Sequence, residues 1–268
     1  MDTLVAVLMG LIQGITEWLP VSSTGHLVFA QELVHIPPEE MIFFNLVLHA
    51  ATLISVTFFL RKDLKRVIPS MFKSPAGMSL DEHTARKIGW FSLLATVPIA
   101  IAGLIESAFL GELFSSPAPT AVALLFTGFI LWSAEAPGLR KQRENLRLKD
   151  AVIIGCFQAI SVIPGISRSG TTISAGCFLG FKRDFVATFS FMLSIPAIIL
   201  AFGFGLVFLG NNQVDLASIA IGATVAAVTG VFALGWFFRQ IQKYRLRWFA
   251  VYCWVLGAAA LLLLTVYK

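Results

Sequence analysis

Charge is the scarcest property of this chain. Asp, Glu, Lys and Arg together make up 13% of its 268 residues, roughly half the share of a soluble domain. Cysteine is nearly absent too: Cys156, Cys177 and Cys253 lie in apolar stretches without metal-ligand spacing, and an odd number does not make a disulfide framework. All three read as buried small hydrophobes. No P-loop, HExxH, GxSxG or dinucleotide fingerprint occurs, so those nucleotide and hydrolase chemistries are not indicated. What is present is apolar: 57% hydrophobic residues, including 24 Phe and 6 Trp, with a mean hydropathy of +0.83. One aqueous core cannot bury that much apolar surface, so the excess faces lipid. Soluble, disordered and disulfide-scaffold classes are excluded together. The net charge of +5 would suit a nucleic-acid partner in a soluble protein, but in a membrane chain basic residues mark cytoplasmic loops.

A transmembrane helix needs about 20 mainly apolar residues. Six stretches qualify, at 42–60, 88–105, 119–135, 185–209, 216–238 and 248–267. Two further apolar stretches are interrupted by turn residues: 3–35 at Pro20-Val21-Ser22-Ser23-Thr24-Gly25, and 151–181 at Pro164-Gly165-Ile166-Ser167-Arg168-Ser169-Gly170. Each half is too short to span. Broken helices survive at membrane depth only inside protein or beside a watery cavity, which marks both as re-entrant helix-loop-helix segments. A signal peptide is not expected at the N-terminus, because no basic region precedes the apolar run and polar residues interrupt it. Of the 20 Lys and Arg, 18 cluster in loops that alternate with connections, 30–41, 106–118 and 210–215, holding none. The basic loops are therefore expected on the cytoplasmic side, with the first re-entrant segment entering from outside and the second from the cytoplasm.

Shifting the chain against itself by 145 residues aligns Gly10 with Gly155, Gln13 with Gln158, Ile15 with Ile160, Ser22 with Ser167, Gly25 with Gly170, Phe44 with Phe189 and Leu48 with Leu193. The chain reads as a duplication, with repeat one over about 1–138 and repeat two over about 150–268. Each unit holds one re-entrant segment and three spans. Three is odd, so the second copy is inverted. The expected fold is an all-α polytopic membrane protein, one integral membrane domain over 1–268, with an inverted-topology repeat, six transmembrane helices and two re-entrant segments. Ligand sites in such folds lie near the midplane, where the broken helices meet.

Away from the ends of the apolar stretches few ionisable residues occur: Glu17 and His26 around the first break, Arg168 in the second, and His49 in the first span. Ionisable groups there are functional candidates because each is costly unless paired or wetted; the bland alternative for Glu17 and Arg168 is a structural ion pair. Hydroxyls crowd them, Ser22, Ser23 and Thr24 on one loop and Ser167, Ser169, Thr171 and Thr172 on the other. Both loops lead into helix-forming runs, so two helix N-termini point inward. Two such ends and an arginine make an anion site, and the arginine fork suits phosphate oxygens, although a small carboxylate also fits. Glu17 beside that site requires either a bridging divalent cation or a role as a base. Ser23, His26 and Glu17 are also the components of covalent catalysis. Asn45, His49 and Thr52 form a polar stripe at helical spacing, in which His49 either orients the site or satisfies Asn45.

The stretch Gln13-xxx-Glu17-Trp18-Leu19-Pro20-Val21-Ser22-Ser23-Thr24-Gly25-His26, followed by Pro164-Gly165-Ile166-Ser167-Arg168-Ser169-Gly170-Thr171-Thr172, resembles the two signature motifs of the undecaprenyl-diphosphate phosphatases, the bacitracin-resistance proteins. The resemblance covers the whole chain in length and span pattern. It implies a multi-pass inner-membrane enzyme that hydrolyses undecaprenyl diphosphate to the monophosphate and inorganic phosphate, recycling the envelope carrier lipid. It further implies a divalent cation, Mg or Ca, and a site open to the outer, periplasmic side. Carried over, it assigns catalysis to Glu17, Ser23, His26 and Arg168, and the metal to Glu17. Ser22, Thr24, Ser167, Ser169, Thr172, Gln13 and His49 are expected to bind substrate phosphate. Gln13 departs from the Glu that many members carry, so a two-carboxylate metal scheme is not expected.

On this reading Arg168 and the helix ends hold the diphosphate, Glu17 holds the metal, Ser23 or a water attacks the terminal phosphorus, and His26 transfers the proton. The expected partners are the polyprenyl diphosphate and the membrane, with room for a homodimer and none for a nucleic acid. Two competing readings differ in chemistry. A lipid-phosphate transporter or flippase would share the inverted-repeat fold without releasing phosphate. A phosphatidate-phosphatase-like enzyme would match Ser23-Thr24-Gly25-His26 and Ser167-Arg168, but its further histidine falls on Ser174.

Overall fold

The computed structural model describes residues 2–36, 38–109, 116–136, 142–208, 215–241 and 246–266. Among them there are helices and no strand, only an isolated bridge between Arg143 and Phe181. All six apolar stretches are helical: α3 (Pro38–Phe59), α5 (Leu80–Phe109), α6 (Pro117–Ser133), α9 (Arg183–Phe208), α10 (Leu216–Gln240) and α11 (Arg247–Val266). All but α6 are long and apolar enough to cross a membrane. The exception is apolar but has 17 residues, about 26 Å at 1.5 Å per residue. Along the middles of these helices outward-facing side chains are mainly apolar, with Ile54, Phe232, Val255 and Leu262 among the most exposed. That is the surplus hydrophobicity counted in the composition.

The two interrupted stretches fold as short helix pairs. The first gives α1 (Thr3–Thr16) and α2 (Ser23–Leu33); the second gives α7 (Leu148–Ala159), a 3-10 turn at Ile160–Val162, and α8 (Arg168–Phe178). Glycine lets α1 press against α10. A Cβ on Gly14 would meet the Ala226 carbonyl at 2.5 Å and the Thr229 hydroxyl at 2.0 Å, a small-residue contact of the kind that joins helices where lipid offers no hydrophobic drive. Ala226 and Thr229 lie near the middle of α10, so the tip of α1 sits at the depth of that helix's centre. In the second pair, Gln158 near the end of α7 donates to the Ala95 carbonyl at 3.2 Å, again mid-helix on α5.

One helix is absent from the sequence reading. Residues 61–72, read there as basic loop, form α4 (Arg61–Phe72). Val67 and Ser70 are buried, whereas Ile68 and Phe72 are exposed on the same helical stripe as Arg61 and Lys65. A buried edge opposite an exposed one that mixes apolar and basic side chains suits a helix lying in the membrane interface. The next element, α5, starts eight residues before the expected boundary at 88, because Asp81 and Glu82 in its first turn favour the helix N-terminus. Cys177 and Cys253 are buried as expected, whereas Cys156 is exposed: it sits on an outward face of α7, where an apolar run does not imply burial. On the basic-loop side, Glu135 after α6 accepts from Arg183 at 2.5 Å and from the Leu246 amide at 3.0 Å, tying α6, α9 and α11.

Candidate active site

Both loops end in helix caps built alike. Ser22 Oγ accepts from the Gly25 amide at 3.3 Å, and Ser167 Oγ accepts from the Gly170 amide at 3.0 Å. Ser23 and Arg168 are then the first residues of α2 and α8, at equivalent positions in the 145-residue register. The second loop is pinned from α6: Thr127 Oγ1 donates to the Gly165 carbonyl at 2.8 Å and accepts from the Ser167 amide at 3.1 Å. Gly165 is needed there, with φ of +97° and a Cβ position 2.2 Å from the Thr120 carbonyl. The loops touch where Ser169 Oγ donates to the Leu19 carbonyl at 3.1 Å. Trp18 anchors the first loop from below, fully buried, edge-on to Phe191 at 5.6 Å, with its Nε1 donating to Ser55 Oγ at 3.2 Å.

At the meeting point, Arg168 Nη2 donates to Glu17 Oε1. The other carboxylate oxygen, Oε2, accepts from Ser23 Oγ at 2.6 Å and from Gln13 Nε2 at 3.0 Å, with His49 Nδ1 3.2 Å away. Gln13 Nε2 also reaches His49 Nδ1 at 2.8 Å. Glu17 is thus held by both loops and by α3. Arg168 keeps a second guanidinium nitrogen, Nη1, buried and without a partner. A buried unpaired donor is costly, and an anion arriving beside it would remove that cost. Both helix N-termini add positive potential on the same side.

These groups line a cavity of about 190 Å³. Its polar wall includes Glu17, Ser22, Ser23, Thr24, His49, Ser167 and Arg168, seven of the residues expected at the site. Leu46, Ile198 and Phe202 give it an apolar side between α3 and α9. Gln13, His26, Ser169 and Thr172 do not line it. Gln13 lies fully buried behind Glu17; Ser169 bridges the loops; Thr172 hydrogen-bonds the Arg168 carbonyl at 2.8 Å and Ser190 at 2.6 Å, bracing α8. His26 turns toward α11: its Nδ1 donates to the Ser22 carbonyl at 2.7 Å and its Nε2 meets the Tyr252 hydroxyl at 2.7 Å. The hydrogen-bond partner of Ser23 is therefore Glu17, and both ring nitrogens of His26 are engaged elsewhere. Ser174 is buried in α8 with an unpartnered hydroxyl.

Two participants went unread in the sequence. Ser161 lines the cavity and donates to the Gln158 carbonyl at 2.7 Å; its equivalent in the register is Thr16, which donates to Ile12 at 2.6 Å, so the shift by 145 carried that signal. Tyr252 carries none, lying 226 positions from the histidine it holds.

Broken helices meeting around an arginine, a carboxylate and hydroxyls define a polytopic membrane protein with a charged cavity among its helices. The family model described as bacitracin resistance protein BacA matches residues 6–259, and the chain belongs to that family. Among its relatives are proteins named undecaprenyl-diphosphatase: from Methanobrevibacter smithii, 36% identical over 96% of both chains; from Alkaliphilus metalliredigens, 35% identical over 98% of both; and from Rubrobacter xylanophilus, 37% identical over 98% of this chain and all of the relative.

Proposed function

We propose that the chain is an undecaprenyl-diphosphatase, hydrolysing the lipid diphosphate to the monophosphate and inorganic phosphate. The observation that carries this reading is a cavity lined at once by a guanidinium with a free buried donor and by a hydroxyl bonded to a carboxylate. Arg168 Nη1 and the amides opening α2 and α8 hold the terminal phosphate; the lipid leaves along the apolar wall of Leu46, Ile198 and Phe202. Ser23 Oγ attacks the terminal phosphorus as Glu17 Oε2 takes its proton, the bridging P–O bond breaks, and the monophosphate departs with the bridging oxygen. Water then attacks the phosphoserine and restores Ser23, releasing inorganic phosphate. Such transfer depends mainly on positioning and charge neutralisation.

A divalent cation, Mg or Ca, belongs to this proposal. The donor set fits a hard ion: Glu17 and the hydroxyls of Ser22, Ser23 and Thr24 are oxygen ligands. No group of three or more His, Cys, Asp or Glu able to hold a metal occurs among the described residues, so Glu17 would be its one charged protein ligand and the diphosphate and water would complete its shell. When bound, it would neutralise charge on the diphosphate.

The proposed architecture has six spans, an inverted repeat and a site open to the periplasmic side of the inner membrane. Partner exchange supports the repeat: α1 packs on α10 while α7 packs on α5, and α3 packs on α10 while α9 packs on α5. Each re-entrant helix thus leans on the second long helix of the other copy. The activity is tested by inorganic phosphate release from undecaprenyl diphosphate by purified protein in detergent. Lipid binding without release would refute it in favour of a transporter.

A further inference from the structure

The register that equates the two halves also compares their loops. The cap residues Ser22 and Ser167 do the same work, yet their backbones differ. Ser167 has φ −75° and ψ 120°, ordinary extended geometry. Ser22 has φ 66° and ψ 95°, a left-handed conformation that residues other than glycine seldom adopt. One helix start is therefore built twice, once relaxed and once strained. The strained copy is the one that delivers Ser23 to Glu17.

A strained turn persists only where its surroundings hold it, and the surroundings here are specific. The Ser22 carbonyl accepts from His26 Nδ1 at 2.7 Å, while its helical partner, the His26 amide, is farther at 3.3 Å. A carbonyl can only accept, so Nδ1 carries the proton, and in the neutral ring Nε2 is the acceptor for the Tyr252 hydroxyl at 2.7 Å. The two rings also stack, 3° from parallel with centroids 5.7 Å apart. In the second copy the position of His26 is Thr171, whose hydroxyl bonds the Arg168 carbonyl instead, and the turn is relaxed. Tyr252 comes from α11, outside both loops.

We propose that Tyr252 is a positioning residue for the reaction: through His26 it holds the Ser22 carbonyl, keeps that turn left-handed, and so keeps the Ser23 hydroxyl on Glu17. The inference rests on the reading of Glu17 and Ser23 given above. Tyr252 touches neither substrate nor the reacting atoms. Its loss would let Ser22 relax toward the geometry of Ser167 and swing Ser23 off the carboxylate, leaving the phosphate-binding Arg168 in place.

The test is Tyr252→Phe, which keeps the stacked ring and removes only the hydroxyl. Phosphate release by the monodisperse protein in detergent is expected to show kcat down about 10-fold, equivalent to ~1.4 kcal/mol, with KM and the thermal midpoint unchanged. A kcat within about twofold of the parent would overturn the proposal, as would a loss carried by KM. His26→Asn and the double variant complete a cycle: if Tyr252 acts through His26, the second substitution adds nothing to the first, whereas additive losses show a separate role and overturn it. Glu17→Gln separates this inference from the reading beneath it. If that variant still releases phosphate, the site assignment has failed; if it is inactive while Tyr252→Phe is normal, only the clamp has.

Discussion

Arg168→Lys separates a phosphate clamp from a structural ion pair, because the two roles use different parts of the guanidinium. In the structure Nη2 is committed to Glu17 Oε1, and Nη1 is buried and unpartnered. Lysine has one nitrogen. It can replace the ion pair or contact phosphate, but it cannot present two donors in the fixed fork that spans both. If the structural pair were the whole role, lysine would keep the charge on Glu17 and turnover would survive. If Nη1 holds a phosphate oxygen as charge spreads over the transferring group, the variant loses a donor needed most in the transition state. Removal of one such donor typically costs about 3 kcal/mol, on the order of 100-fold in kcat. The expected outcome is normal yield, an unchanged gel-filtration profile and kcat lowered by about 100-fold in a phosphate-release assay on purified protein with undecaprenyl diphosphate. Turnover within a few-fold of the parent would remove Arg168 from the phosphate site.

Three further tests probe other steps. Glu17→Gln preserves shape but removes the proton acceptor of Ser23, so phosphate release should vanish while folded protein is recovered; activity at saturating lipid and cation would contradict the mechanism. Gly14→Ala drives a methyl to 2.5 Å from the Ala226 carbonyl, a backbone atom that cannot swing aside, and overpacking of this kind costs about 1–3 kcal/mol; the thermal midpoint in detergent should fall, and an unchanged midpoint would mean that α1 and α10 separate freely. In a background without Cys156, the exposed free thiol, Ser116→Cys should react with an impermeant thiol reagent in intact cells and Gln142→Cys should not. Equal labelling would refute the proposed orientation.

Most helices were legible because hydrophobic length is a strong signal. The stretch at 216–238 became α10 with its start unmoved and its end two residues on, since Asp215 accepts from the amides of Ala217 and Ser218 and caps it. What escaped was amphipathic. Residues 61–72 hold Arg61, Lys62, Lys65 and Arg66, and counting charge made them loop; their buried and exposed faces alternate at a helical period that a hydropathy window averages away. Cys156 failed for the complementary reason. In a membrane protein an apolar helix face can turn outward, so an apolar neighbourhood does not imply burial.

The site divides along the same line between local and tertiary information. Ser22, Ser167 and the two helix starts follow from caps written within four residues of sequence, and Glu17 with Arg168 stood out as ionisable groups in apolar stretches. Which hydroxyl meets which acid could not be read, because that depends on a backbone angle. At Ser22 the angle is left-handed and at Ser167 it is extended, although both loops place serine before a helix. The difference traces to His26 facing α11 rather than the cavity. Sequence spacing put His26 three residues from Ser23 and suggested a proton relay between them. Residues three apart on a helix lie only about 60° apart, so spacing predicts a shared partner, yet Ser23 donates to Glu17 while His26 reaches the Ser22 carbonyl and Tyr252. The carboxylate six residues before Ser23, across the turn, is the group that spacing alone undervalued.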